Sequence, residues 1–422
     1  MKRFSNIVPI VLMVALGSAI AQTIDVWDQW YRGVENEVVE QLNREFEEEH
    51  GVTIDRTTRP LDDLRITLML AVEGGEGPDV ANVNQGAPDM GEMVRSDLLL
   101  PIDEYAEQYG WLDTFSPALL TRNRWSDDFE FGEGSLYGVA PQAEIVGVYY
   151  NRALFDEAGI DVPTTFEEFE ESLEALRDAG IVPLVYGGLD GWPGIHLYGA
   201  IQHLFVEREY LDDLVYGRGG EWDTDANARA AEKLVEWVEE GYIIQGFEGI
   251  GYDDTWSLFA QGQGAMMITG SWITGEIAHN PDIGFFALPP LEEHADQTPM
   301  LVGGTGIPLA ITVNADDPDL AARYLDWMVS PRAAELWAEA GFIPAMAVPP
   351  GTIDPDSLQG QVLAVWERVN DDDAIGHYLD WATPSMYDTI TGAIQEVMVG
   401  RITVEQFLQT LDADYQAYLQ RP

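Results

Sequence analysis

The order of the first elements beyond the N-terminal stretch narrows the possible folds more than any other feature. Thr23–Trp27 reads as a short strand, and Val34, Val38, Val39, Leu42 and Phe46 then recur at helical spacing. Val52–Thr57 is a second strand, Leu61, Leu64, Leu68 and Val72 mark a second helix, Gly74-Gly75 end it, and Asp79–Val83 is a third strand. Strand, helix, strand, helix, strand at this pitch predicts βαβ units and a mainly parallel sheet. The style returns later. Val146–Tyr150 reads as a strand, Thr165–Ala179 as an amphipathic helix capped by Thr164 or Thr165, and Val182–Tyr186 as the next strand. Helices are expected over Ala226–Glu240 and around Leu320–Met328, a Gly/Pro-rich connection over Pro289–Pro308, and a helical C-terminal portion. With 422 residues the chain exceeds what one core serves, so two α/β lobes are expected.

The N-terminus carries a targeting pattern. Lys2 and Arg3 precede the apolar run Ile7–Leu16, and Ala19-Ile20-Ala21 supplies a small-x-small cleavage site. Residues 1–21 are therefore expected to be a signal peptide, with a soluble, exported mature chain from Gln22. No later run is apolar for the roughly 20 residues a membrane span needs. The chain has no cysteine, so its stability must come from its core and no lipid anchor can follow the signal; a periplasmic location is expected. Lys+Arg number 21 against 74 Asp+Glu, a net charge of −53, which disfavours nucleic acid and anionic lipid as partners.

Enzyme signatures are missing. There is no G-x-S-x-G, no HExxH and no phosphate-cradling glycine loop, and the six histidines are scattered without metal-ligand spacing. A glycoside hydrolase would need two carboxylates at fixed separation, but among 74 acidic residues no pair stands out. Asp371-Asp372-Asp373 reads as a solvated turn. No catalytic residue, metal or cofactor is expected.

Six segments in order along the chain carry a resemblance: Ile24-Asp25-Val26-Trp27, Gly77-Pro78-Asp79-Val80, Val148–Phe155, Gly262–Trp272, Gly303–Ile307 and Gly400–Gln406. On these the chain resembles the extracellular solute-binding proteins, family 1, of ABC sugar importers, the maltose-binding-protein-like group. The resemblance implies the two-lobe type II periplasmic-binding fold, with lobes joined by a hinge and a ligand cleft between them. Mapped by motif, crossings fall near Ala140–Glu144, Phe285–Leu288 and Met328–Pro331. That gives one lobe from 22–140 and 288–330, the other from 141–287 and 331–422. It implies a non-enzymatic monomer that binds a mono- or oligosaccharide and delivers it to permease subunits.

A sugar offers apolar C–H faces and a rim of hydroxyls, which call for flat aromatics and for amides or carboxylates. The resemblance places stacking aromatics at Trp272 and Tyr387, and a ligand loop after the first strand, where Trp30 is chosen over Asp28, Gln29 and Tyr31. Trp192 sits in the loop-like Gly191-Trp192-Pro193-Gly194. Glu144 at the first crossing is an acid between apolar strands, costly unless it meets solvent or ligand. Asn84 and Gln85 are consecutive amides at a strand end, and Gly303 and Gly304 would let backbone N–H groups approach a ligand. For each, a packing or turn role is the alternative. An iron site on Tyr149-Tyr150 is disfavoured because strand neighbours point to opposite faces, while an acidic cleft would also suit a polyamine. Trp30, Tyr31 and Arg32 stand where the best-known family site has acidic and basic groups, so the resemblance does not carry maltose with it.

Overall fold

The computed structural model describes residues 22–421; the expected signal segment lies outside them. Two sheets organise the chain. Their strands, apart from a small separate hairpin over 124–136, are β1 (Thr23–Asp28), β2 (Thr53–Thr58), β3 (Val80–Asn82), β4 (Ala143–Asn151), β5 (Met266–Gly270), β6 (Ile283–Phe286), β7 (Leu301–Thr305), β8 (Leu309–Ile311) and β9 (Ile375–Gly376). The helices that position the site are α1 (Gly33–His50), α2 (Leu61–Glu73), α3 (Phe166–Asp178), α4 (Trp192–Gln202), α5 (Tyr252–Ala260), α6 (Pro318–Met328), α7 (Pro331–Glu339) and α8 (Met386–Met398).

The first sheet runs β8-β3-β1-β2. β1 pairs in parallel with β2, from Thr23 opposite Thr53 to Asp28 opposite Thr58, and in parallel with β3; β8 closes it antiparallel. Its core gathers Val26, Val39, Leu42, Phe46, Leu309 and Leu325, residues whose helical or alternating spacing turns them to one side. The second sheet runs β9-β7-β4-β5, with β6 also paired to β4. Tyr149 and Tyr150 do face apart: Tyr149 packs on Phe285 at 4.8 Å, Tyr150 on Phe155 at 4.9 Å. Thr165 caps α3, its hydroxyl accepting from Glu168 N.

The connections differ from expectation. Leu301–Thr305, within the stretch assigned to the first lobe, hydrogen-bonds to β4 and belongs to the second sheet. Helix α7, assigned to the second lobe, contributes Ala333 and Trp337 to the core around Trp30. The passages between sheets therefore lie between Val139 and Ala143, between Thr305 and Leu309, and between α7 and Leu358; the last two replace Phe285–Leu288 and Met328–Pro331. Gly303-Gly304, expected to lie against a ligand or in a turn, is strand paired with β4, and glycine stands at 304 because a side chain there would collide with the Arg122 guanidinium beneath. The three passages are bonded to one another: Gly306 N to Gln142 O at 2.9 Å, Ala143 N to Ile343 O at 2.9 Å, and Ala345 N to Pro141 O at 2.9 Å.

Candidate functional site

A cavity of about 390 Å³ opens between the two sheets. Its first-sheet wall comes from the strand ends and the helix starts that follow them: Gln29, Tyr31 and Arg32 after β1, Leu61 and Asp62 at the start of α2, and Asn84 after β3. The carboxyl ends of parallel strands are where such folds leave an opening.

The second-sheet wall is aromatic. Trp192 opens α4, which Gly191 enters with φ of 77° and Pro193 stabilises in the first turn, so the expected loop is a helix start. Its indole packs 4.4 Å from Tyr252 and 6.1 Å from Trp272. Trp272 donates from Nε1 to Tyr252 Oη at 2.6 Å, which fixes the plane of its ring. His196, one turn along α4, stands 5.2 Å from both Trp272 and Tyr378, and Tyr378 stands 5.1 Å from Trp381. Burial holds His196 neutral, its pKa down at about 3.

Carboxylates stand among these rings. Tyr378 donates to Glu144 Oε1 at 2.7 Å, yet burial still pushes the Glu144 carboxyl up to about 7. Burial likewise raises Asp380 to about 7, and Glu35 to about 8 although Arg32 lies 3.7 Å away. A ligand group that donates a hydrogen bond to any of them would offset the cost of its ionised form.

Several contacts span the gap. Arg32 Nε donates to Asp253 Oδ1 at 3.0 Å and Tyr31 Oη to Asp253 Oδ2 at 2.8 Å. Tyr387 Oη donates to Asp62 Oδ1 at 2.6 Å beneath the Arg65 guanidinium, 3.7 Å above its ring. Glu276 reaches from the second lobe to the first turn of α1, accepting from Val34 N at 2.7 Å and Glu35 N at 3.4 Å.

Of the residues singled out in the sequence, Asn84, Glu144, Trp192, Trp272 and Tyr387 line this one cavity. Trp30, Gln85, Gly303 and Gly304 do not. Trp30 is 1 % exposed and packs 5.9 Å from Trp337. Alternation past β1 explains it: Asp28 and Trp30 turn to the core, where Asp28 meets Arg56 at 2.6 Å, while Gln29 and Tyr31 turn to the cavity. Gln85 turns inward and donates from Nε2 to Thr305 Oγ1 at 3.0 Å and Gly306 O at 3.1 Å. Gly303 and Gly304 are spoken for by β4 and by Arg122, which donates to Gly303 O. Tyr252, Tyr378, Asp380 and Trp381 were not anticipated. A glycine-led helix start after Gly251 is the only local signal for Tyr252, and the other three sit on a short turn, Leu379–Ala382, and the residue before it.

A two-lobed α/β receptor with a solute cavity between its sheets is the class that this arrangement defines. The chain belongs to the family of bacterial extracellular solute-binding proteins, whose profile matches residues 30–335. It is 23 % identical over 305 residues to the multiple sugar-binding protein of Streptococcus mutans, covering 70 % of this chain and 69 % of that one. It is 25 % identical over 353 residues to the maltotriose-binding protein of Pyrococcus abyssi, covering 80 % and 69 %. Among solved structures, a chitin oligosaccharide binding protein superposes with a TM-score of 0.82 at 22 % identity, over 95 % of this chain and all (100 %) of that one. The family is one of binding proteins rather than enzymes. Among the described residues no helix is long and apolar enough to cross a membrane.

Proposed function

We propose that this chain captures a small carbohydrate in the cavity between its sheets and presents it to an ABC permease on the outer side of the membrane. One observation carries the reading: the Trp192, Trp272 and Trp381 indoles share a cavity with Glu144, Asp62 and Asp380. Indole faces cover sugar C–H surface at about 25 cal/mol per Å², and carboxylates accept from hydroxyls at roughly 1.5–3 kcal/mol each. At about 390 Å³ the cavity is at the small end for ligand sites, roughly 300–1,000 Å³, which suits one or two sugar rings. The names of the relatives agree with a carbohydrate. Export through residues 1–21, a periplasmic location, a monomeric state and the permease contact belong to this same reading.

Binding would work by closure. Arg32, Glu35 and Asp62 come from one sheet and Trp192, Trp272 and Asp253 from the other, so a ligand touching both has more contacts in the closed arrangement than in the open one. The test is a thermal-shift screen of the mature chain against mono- and disaccharides. A ligand at 100 times its Kd adds about 2.7 kcal/mol, a rise of several degrees. A panel in which polyamines raise the melting temperature and no sugar does would overturn the proposal.

A further inference from the structure

The hydrogen-bonding ledger of the cavity restricts the ligand further than its size does. Arg32 is the only arginine or lysine lining it among the described residues, and Arg32 is already held by Glu35 and Asp253. The nearby Arg65 is tied to Asp89 at 2.6 Å. The polar donors of the wall are largely spent on the wall itself: Tyr31 on Asp253, Tyr378 on Glu144, Tyr387 on Asp62, and Trp272 on Tyr252.

Acceptors are what remain. Glu144 and Asp62 each give one oxygen to a tyrosine, which leaves the other. Asp190 uses Oδ2 for Tyr252 N. Asp380, only 5 % exposed, receives no side-chain hydrogen bond among the described residues. The donors left over are neutral: the Gln29, Asn84 and Gln142 amides, of which Gln142 Nε2 is buried without a partner, the neutral His196 ring and indole N–H groups. An anionic ligand would meet several carboxylates and no free cation.

Resting on the carbohydrate reading, we infer that the cavity selects glycans bearing free hydroxyls and no carboxylate, sulfate or phosphate. The ligand acts mainly as hydrogen-bond donor, to Glu144, Asp62, Asp190 and Asp380. Hydroxyls fill that role because each brings its own proton, and an anionic substituent can bring none. Like charges brought together in a half-dry cleft repel far more than in water.

The test starts from whichever neutral disaccharide the mature chain binds most tightly by calorimetry at pH 8. That sugar is compared with two derivatives in which C6 of one ring is oxidised to a carboxylate or converted to the isosteric carboxamide. The expected result is a carboxylate bound at least about 100-fold more weakly than the parent, with the carboxamide within about tenfold of it. Asp380→Asn and Glu144→Gln, two independent variants in case one folds poorly, should each narrow the gap between carboxylate and parent. A carboxylate bound within tenfold of the parent, or a carboxamide as weak as the carboxylate, overturns the inference while leaving the carbohydrate reading intact. Binding of no neutral sugar sinks the reading itself, and this inference with it.

Discussion

Glu276 reaches across the gap and finishes a helix that belongs to the other lobe. The Arg32 position that precedes α1 offers no side-chain acceptor to the helix, and Glu276 supplies one, to Val34 N at 2.7 Å and Glu35 N at 3.4 Å. A capping acceptor contributes about 0.5–2 kcal/mol, and a carboxylate at a helix N-terminus gains a further few tenths from the helix dipole. The nearby Glu35 carboxyl, buried and raised to about 8, works against it when ionised, so about 1–1.5 kcal/mol net is the reasonable figure. Because the contact exists only while the lobes are together, Glu276→Ala should move the open–closed balance and leave the fold of either lobe intact. The expected result is sugar affinity lowered about 5- to 12-fold, with an unchanged melting temperature for the unliganded chain. Isothermal calorimetry reads the first and calorimetric unfolding the second. An unaltered Kd would refute the reasoning, and so would a loss of affinity matched by a fall in the unliganded melting temperature.

The two kinds of tryptophan should part company. Trp192→Ala and Trp272→Ala each remove about 100 Å² of stacking surface, worth about 2.5 kcal/mol or some 60-fold in Kd, with a small effect on stability. Trp30→Ala should instead cost about 3–5 kcal/mol of stability and lower the melting temperature while the folded fraction binds normally; fluorescence titration against thermal unfolding separates them. Burial depresses His196 and His203 to about 3 and His377 to about 4, below the 6.5 of a free imidazole. Their neutral forms are compatible with the fold, so stability should be complete above about pH 6.5 and fall as acid is added toward pH 4; denaturant midpoints at stepped pH would show no such fall if these rings are solvated. Asp380 runs the other way, raised from 3.8 to about 7, so its cost builds as pH rises from about 4 and is complete above about 7. Asp380→Asn should therefore unfold at higher temperature than wild type at pH 8, by up to about 4 kcal/mol equivalent, and at the same temperature near pH 4. Gly304→Ala should destabilise by about 1–3 kcal/mol, since the added methyl meets the Arg122 guanidinium; an unchanged urea midpoint would count against that packing.

Much of this was readable in the residues, unevenly. The β1–α1–β2–α2–β3 run was legible because each element is local and its apolar spacing is regular, and so was the cap at Thr165. The indole at Trp272 could be placed because the family resemblance puts a stacking aromatic after the strand and glycine that precede it. Trp30 was misjudged although the information was present: Asp28 and Trp30 share a side of the extended chain, and that side is the core. Gly303-Gly304 read as a place for close ligand approach because glycine's role there, making room for Arg122, depends on a residue some 180 positions away. Tyr378, Asp380 and Trp381 carry no local mark. They reach the cavity only because β9 delivers the chain there, and a two-residue strand pairing across the sheet leaves no period to detect.

The three passages between the sheets touch one another through Gly306–Gln142, Ala143–Ile343 and Ala345–Pro141. A single strand would let the halves swing and swivel, whereas three laced side by side behave like a strap hinge and permit travel along one arc. Looseness introduced at any one of the passages would show first as a faster off-rate, before any loss of fold.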